Sequence, residues 1–325
     1  MSRKMCKGIA VSLFMAGIFV LGGCSGRVDR EGQEILLDLE KIAIQENQKA
    51  PEVSQQPKEP AAQSKKPAQQ APEIIEEDWS AYFDGLNGTA VIYDPSAVQY
   101  TVYQEELAMM QSSPCSTFKI ISSLIALENG VIDPEDTMRT WSSETFWNEK
   151  WNRDLEFTEA FRESCVWYFR QVADEIGEER MQEELDRLQY GNCDISDWEG
   201  RLNTNNGNRA LTGFWLESSL KISPKEQTEV MERIFGENSV YSVETLDILK
   251  QVMLVQDPDS ETAVYGKTGM GKAEGVVADA WFTGFAEKED KTIYYCVHLG
   301  RTDEREVSSA LAREIALRIL ADYSR

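Results

Sequence analysis

The chain has 325 residues, of which 42% are hydrophobic and 10% aromatic, enough for one large domain or two small ones with a sizeable core. Its net charge of −23 argues against nucleic acid or an anionic membrane surface as the main partner, because phosphate contacts need clustered Lys and Arg. The single histidine, His298, excludes a His-rich zinc site and leaves any Ser-His-Asp or Cys-His mechanism dependent on that one side chain.

In chain order, Arg3, Lys4 and Lys7 precede an apolar run from Gly8 to Gly23, short of the roughly 20 residues that a spanning helix needs. The run closes in Leu21-Gly22-Gly23-Cys24, which resembles the lipobox of bacterial lipoproteins. That resemblance implies a signal peptide at 1–23, lipid on the Cys24 thiol and a mature protein tethered to the membrane outside the cytoplasm. An ordinary secretory signal with an incidental cysteine is the other reading. Residues 24–78 read as a linker: prolines at 51, 57, 60, 67 and 72 stand among Gln, Lys, Ala and Glu, a composition that buries too little surface to offset ordering.

The globular part, 79–325, opens at Trp79. Gly88 to Asp94 predicts a strand, Pro95-Ser96 a turn, and Val98 to Tyr103 its hairpin partner. Pro114 favours an extended approach to a helix near Ser116, whose stripe of Ile120, Ile121, Leu124, Ile125 and Leu127 stops at Asn129-Gly130. From about 133 to 236 helical and turn signals dominate, with Trp141, Trp147, Trp151 and Trp167 close together, which predicts a helical subdomain. A helix after Ser242 precedes Ala263 to Gly269. Strands Val277 to Ala286 and Thr292 to Leu299 follow, and an amphipathic helix, Val307 to Tyr323, closes the chain. Strands at both ends around a helical insertion predict an α+β fold whose sheet is built from distant segments.

Ser116 and Lys119 form a Ser-x-x-Lys pair at the mouth of the first long helix, where i and i+3 share a face and the peptide dipole favours developing negative charge. The same spacing occurs in helices with no catalytic role, so the pair does not decide the matter alone. His298 lies in Ile293-Tyr294-Tyr295-Cys296-Val297-His298-Leu299, which reads as a core strand, and is taken as structural. Lys119 is then the nearest base for Ser116.

Three further motifs follow in order: Ser164-Cys165-Val166, Tyr190-Gly191-Asn192 and Lys267-Thr268-Gly269. With Pro114-Cys115-Ser116-Thr117-Phe118-Lys119-Ile120, and with Phe214-Trp215-Leu216-Glu217 and Trp281-Phe282-Thr283-Gly284, the set resembles class D, oxacillinase-type, serine β-lactamases from about Trp79 to the C-terminus. The resemblance implies a serine β-lactamase and penicillin-binding-protein-like fold, mainly an antiparallel sheet flanked by helices. It also implies hydrolysis of β-lactam antibiotics through an acyl-enzyme on Ser116. Carbon dioxide would be needed to carboxylate Lys119, with Val166, Trp215 and Leu216 supporting the carbamate, and no other cofactor and no metal. Ser164 would relay protons, Lys267 and Thr268 would bind the substrate carboxylate, and Gly269 would leave room for the ligand. The backbone N–H groups of Ser116 and Met270 would form the oxyanion hole. Using a lysine of ordinary pKa as a base takes roughly 4 to 5 kcal/mol of environmental bias, which burial beside Phe118, Val166, Trp215 and Leu216 can supply. Tyr190-Gly191-Asn192 is read as shaping a loop near the site.

The chain departs from the family where an arginine is expected near the start of the last helix, since Ala312 stands there; Arg313 and Arg301 are the substitutes considered. Cys115 and Cys165, each beside a serine of the set, are read either as reduced core residues or as a disulfide. Two rivals to the hydrolase share its motifs. One is a β-lactam sensor domain that stays acylated, normally fused to membrane helices; the other is a penicillin-binding transpeptidase, expected to carry Ser-x-Asn where this chain has Ser164-Cys165-Val166.

Overall fold

The computed structural model describes residues 71–203, 205–256, 261–302 and 305–323. The expected leader, the expected lipidation site at Cys24 and the greater part of the expected linker lie outside these residues.

A seven-stranded sheet runs in the order β1-β3-β2-β7-β6-β5-β4, formed by β1 (Glu73–Glu76), β2 (Gly88–Asp94), β3 (Gln99–Tyr103), β4 (Leu254–Gln256), β5 (Ala263–Ala273), β6 (Val276–Lys288) and β7 (Lys291–Gly300). Every neighbouring pair is antiparallel except β1 with β3. The expected α+β architecture, the hairpin of β2 and β3 and the strands of the C-terminal half are all present. The sheet begins earlier than the expected boundary at Trp79, because Glu73–Glu76 pairs with the free edge of β3. Its side chains are all exposed, so it is held by main-chain hydrogen bonds and carries no apolar signature.

The period-two alternation of the strands divides two cores. Ile293, Tyr295, Val297 and Leu299 of β7 pack with Ala280 and Phe282 of β6 against the C-terminal helix, while Tyr294 and Phe285 face the helical side. Both faces are covered, which is why β7 reads as a nearly unbroken apolar run.

The helices are α1 (Ser80–Phe83), α2 (Glu105–Ala108), α3 (Lys119–Glu128), α4 (Phe157–Arg162), α5 (Val166–Ile176), α6 (Glu178–Leu188), α7 (Pro224–Phe235), α8 (Val243–Met253) and α9 (Ser309–Tyr323). Among the described residues between Tyr103 and Leu254 the named elements are helical, in keeping with the expected helical block. α3 is buried from Lys119 to Ala126 and packs against α5 and α8. Burying a side chain such as Ile120 or Leu124 is worth about 1.5–3 kcal/mol, so the apolar stripe sets this helix inside the molecule. A Ser223–Glu226 capping box with Pro224 in the first turn starts α7, and Ser242 caps α8.

Tyr190-Gly191-Asn192 is a structural clamp. The Tyr190 ring packs edge-on to Phe118 at 5.5 Å, and Asn192 exchanges hydrogen bonds of 2.9 Å with Lys221 through its N–H and its side-chain oxygen. Gly191 has φ +53, and a β-carbon there would lie 1.9 Å from the Lys221 carbonyl. Gly191→Ala is therefore expected to lower stability by about 2–4 kcal/mol, read as a drop in the denaturant midpoint with unchanged slope.

Candidate active site

The nucleophile segment is a 3₁₀ turn, Cys115–Phe118, running directly into α3 at Lys119. Long-range hydrogen bonds hold it. Cys115 N–H donates to Trp215 O at 2.9 Å, the Trp281 indole donates to Ser113 O at 3.0 Å, and Thr117 Oγ1 donates to Pro114 O at 2.7 Å. Gln227 of α7 donates to Thr117 Oγ1 at 3.0 Å. With the turn so fixed, Lys119 Nζ donates to Ser116 Oγ at 2.9 Å. Ser116 is half-buried, whereas Lys119 is 1% exposed and stands 5.4 Å from the Phe169 ring. Burial lowers the Lys119 pKa from 10.5 to about 8. Lysine at this position therefore gives up its proton far more readily than a surface lysine.

Ser164 arrives by a different route. α4 ends in paired bonds, Cys165 N–H to Ala160 O at 2.8 Å and Ser164 N–H to Phe161 O at 3.2 Å, which form a Schellman arrangement. Ser164 occupies its left-handed position at φ 56, where glycine is usual, and α5 begins at Val166. Cys115, the residue before the nucleophile, is also left-handed at φ 51. Both non-glycine residues carry local strain that the surrounding contacts sustain.

Lys267 of β5 is 5% exposed; its Nζ donates to Ser164 Oγ at 2.6 Å and to Thr268 O at 3.1 Å. Burial first, and then the charge of Lys119, pulls its pKa well below that of a free lysine. Two amines, each paired with a serine hydroxyl, thus share one buried site. Among the described residues, Lys267, Thr268, Arg162 and Arg313 line one cavity of about 280 Å³ together with Phe161 and Met253. Arg313 donates to Val255 O at 3.3 Å, while Arg301 contributes its carbonyl to Asn87 at 3.3 Å. Of the two arginines considered from sequence, it is Arg313 that lines the cavity of Lys267 and Thr268.

Trp215 and Leu216 are buried, and Val166 is partly buried against the same core. Trp215 stacks on Phe118 at 5.8 Å, and its indole N–H is buried without a partner. The indole fills the space that a β-carbon on Gly213 would need.

Gly269 makes room for the chain itself. A β-carbon there would lie 2.9 Å from Pro114 O and 3.1 Å from Thr117 N, so the space it leaves is filled by the chain's own nucleophile turn. Gly271 does the same for the Cys115 thiol, which a β-carbon would approach to 2.7 Å. Met270, between them, has an exposed side chain. Cys115 and Cys165 are both free thiols, as in the reduced reading; burial pushes the Cys165 thiol up to about 12 and that of Cys115 higher, so neither is a reactive thiolate. His298 belongs to a separate contact, with Nε2 2.9 Å from Asp279 Oδ1 and its ring 3.9 Å from that of Trp281.

The supporting roles of Gln227, Trp281 and Asn203, whose amide donates to Leu216 O at 2.9 Å, were not read from sequence. Trp281 lies in a quoted motif; Gln227 carries no local signal, being 110 residues from the threonine it holds.

Two Ser-Lys pairs and a mainly antiparallel sheet flanked by helices define a protein of the serine β-lactamase and penicillin-binding-protein-like fold. The chain belongs to the penicillin binding protein transpeptidase domain family, whose model matches residues 86–321. Its relatives include class D β-lactamases as well as penicillin-receptor domains. It is 32% identical to the probable β-lactamase YbxI of Bacillus subtilis over 74% of this chain and 82% of that protein. It is 29% identical to the regulatory protein BlaR1 of Bacillus licheniformis over 75% of this chain, but spans only 38% of BlaR1. The solved C-terminal domain of the Bacillus licheniformis BlaR penicillin-receptor superposes with a TM-score of 0.69 at 28% identity, covering 78% of this chain and 98% of that one.

The lowered pKa of Lys119 has a sign. A base whose pKa falls on folding opposes folding while it is protonated, and this cost fades as pH rises from about 8 toward 10.5. Lys119→Met is expected to be more stable than the parent by roughly 3 kcal/mol at pH 7, with the difference shrinking above pH 8 in urea titrations.

Proposed function

We propose that the protein is a class D-type serine β-lactamase that hydrolyses β-lactam antibiotics and so confers resistance, anchored by lipid at Cys24 outside the cytoplasm. The observation that carries the reading is the 2.9 Å contact between Ser116 Oγ and a buried Lys119 whose pKa is lowered to about 8. The anchor rests on the basic start, the apolar run and Leu21-Gly22-Gly23-Cys24.

Lys119 takes the proton of Ser116 as Oγ bonds to the lactam carbonyl carbon. The backbone N–H groups of Ser116 and Met270 receive the developing oxyanion. The carbon–nitrogen bond then breaks, and Ser164, itself hydrogen-bonded to Lys267, hands its proton to the departing nitrogen while taking from Lys119 the proton that came from Ser116. Lys119 then takes a proton from water as the water oxygen adds to the acyl carbon, the bond from that carbon to Ser116 Oγ breaks with the proton returned to Oγ, and the product leaves as a carboxylic acid that ionises in water.

Carbon dioxide taken up by the neutral Lys119 amine would supply an anionic general base for both halves of the reaction, with Val166, Trp215 and Leu216 to hold it. The buried, unpartnered Trp215 N–H is a donor suited to that anion. Lys267, Thr268 and Arg313 would take the substrate carboxylate, since an anion bound beside the buried Lys267 favours its charged form.

The full chain is expected to turn over a chromogenic cephalosporin many times, faster with added bicarbonate. Lys119→Ala should slow release of the acyl group by about 100-fold or more, seen as a stable adduct on Ser116 by mass spectrometry. A single burst with lasting acylation of the parent protein would make it a sensor domain of the BlaR1 kind instead. Arg313→Ala is expected to raise KM for carboxylate-bearing substrates by about tenfold with little change in kcat; an unchanged KM would remove Arg313 from substrate binding.

A further inference from the structure

Against the Trp215 indole lies a buried cation that none of these roles uses. Arg170 of α5 is 2% exposed, and its guanidinium lies over the rings of Trp198 and Trp215, at 5.2 and 5.6 Å from their centroids. One terminal nitrogen donates to Trp198 O at 2.8 Å and the other to the Asp174 carboxylate, while Nε is buried without a partner. Asp174 also receives Arg209, which reaches Glu199 at 2.6 Å. A charge chain thus runs from the half-exposed Arg209 to the face of the indole.

Among the described residues, Phe118 at 5.8 Å and Phe214 at 5.0 Å also contact the Trp215 ring; they confine the indole by shape but offer it no charge. A guanidinium plate over an aromatic face adds an electrostatic attraction, stronger when desolvated, and it is tied by hydrogen bonds to fixed atoms. Its cost is a buried charge, offset by Asp174. A plain core position on α5 would carry an aliphatic residue, as Val172 does.

We infer that Arg170 is a positioning residue for Trp215: it holds the indole so that its unpartnered N–H is presented in one orientation. The consequence for catalysis, that Arg170 sets how readily Lys119 retains carbon dioxide, rests on the reading under Proposed function. The positioning itself does not.

The experiment uses the full chain with ¹⁵N-labelled indoles, the Trp215 cross-peak being assigned by its loss in Trp215→Phe. In Arg170→Gln that cross-peak is expected to shift and broaden while that of Trp79, in the opposite core, stays in place and reports an intact fold. With ¹³C-bicarbonate, the concentration giving half-maximal carbamate signal on Lys119 should rise by about tenfold, the scale of effects from outer groups that orient a ligand. An unchanged Trp215 cross-peak in the folded variant overturns the proposal. A shifted cross-peak with unchanged bicarbonate demand overturns its catalytic consequence, and a moved cross-peak with no carbamate in the parent overturns the proposed base while upholding the positioning. If Arg170→Gln does not fold, Arg170→Lys, which keeps the charge beside Asp174 but not the plate, is read in the same way. An intermediate shift is expected, and a parental cross-peak overturns the proposal.

Discussion

Desolvation of Lys119 is the constraint on which the rest of this structure turns. An amine kept out of water loses the hydration that favours its cation, so Lys119, within hydrogen-bond distance of Ser116, reaches its neutral, basic form near pH 8 rather than 10.5. Lys267 lies in the same site under the same penalty, made larger by the charge of its neighbour. Each amine is therefore paired with a hydroxyl, Lys119 with Ser116 and Lys267 with Ser164, and these two short contacts bring both serines into one site.

Such a site needs stiff walls. Cys115 and Ser164 hold left-handed backbone next to the chemistry, an arrangement that persists only because the Trp215 carbonyl and the Schellman bonds at the end of α4 leave the chain little alternative. Gly269 and Gly271 let β5 lie against the nucleophile turn. The free thiol of Cys115 is small enough to fit under Gly271, and its sulfur donates to Ser113 O at 3.4 Å. Strain, glycine spacing and thiol are thus one device for setting the distance between Ser116 and the strand that carries Lys267.

Relatives named as β-lactamases and as penicillin receptors share this frame, and under the function proposed above a hydrolase and a domain that stays acylated would both acylate Ser116. They part at the fate of the ester, which depends on whether a base and a water act on it after the lactam nitrogen has gone. That places the weight on the surroundings of Lys119, and so on Phe118, Val166, Trp215 and Leu216 more than on Ser116.

The sequence by itself carried the strands, the apolar stripe of α3, the motif set around Ser116, Ser164 and Lys267, and the family, because these are written in local spacing and in residue types with few alternative uses. It also narrowed the base to Lys119 through the scarcity of histidine. It did not carry β1, whose exposed side chains leave no pattern, nor the close approach of Gly269 to a turn some 150 residues away. Gln227 and Arg170 were equally silent, since nothing near them in sequence says what they touch, and the motif at Trp281 does not say that its indole holds Ser113 O. The preference for Arg313 over Arg301 at the cavity beside Lys267 came only when α9 was laid against β5. Distances, burial and the pKa of a lysine are properties of neighbours, and in this chain the neighbours of Lys119 are brought together from separate helices and loops by the fold.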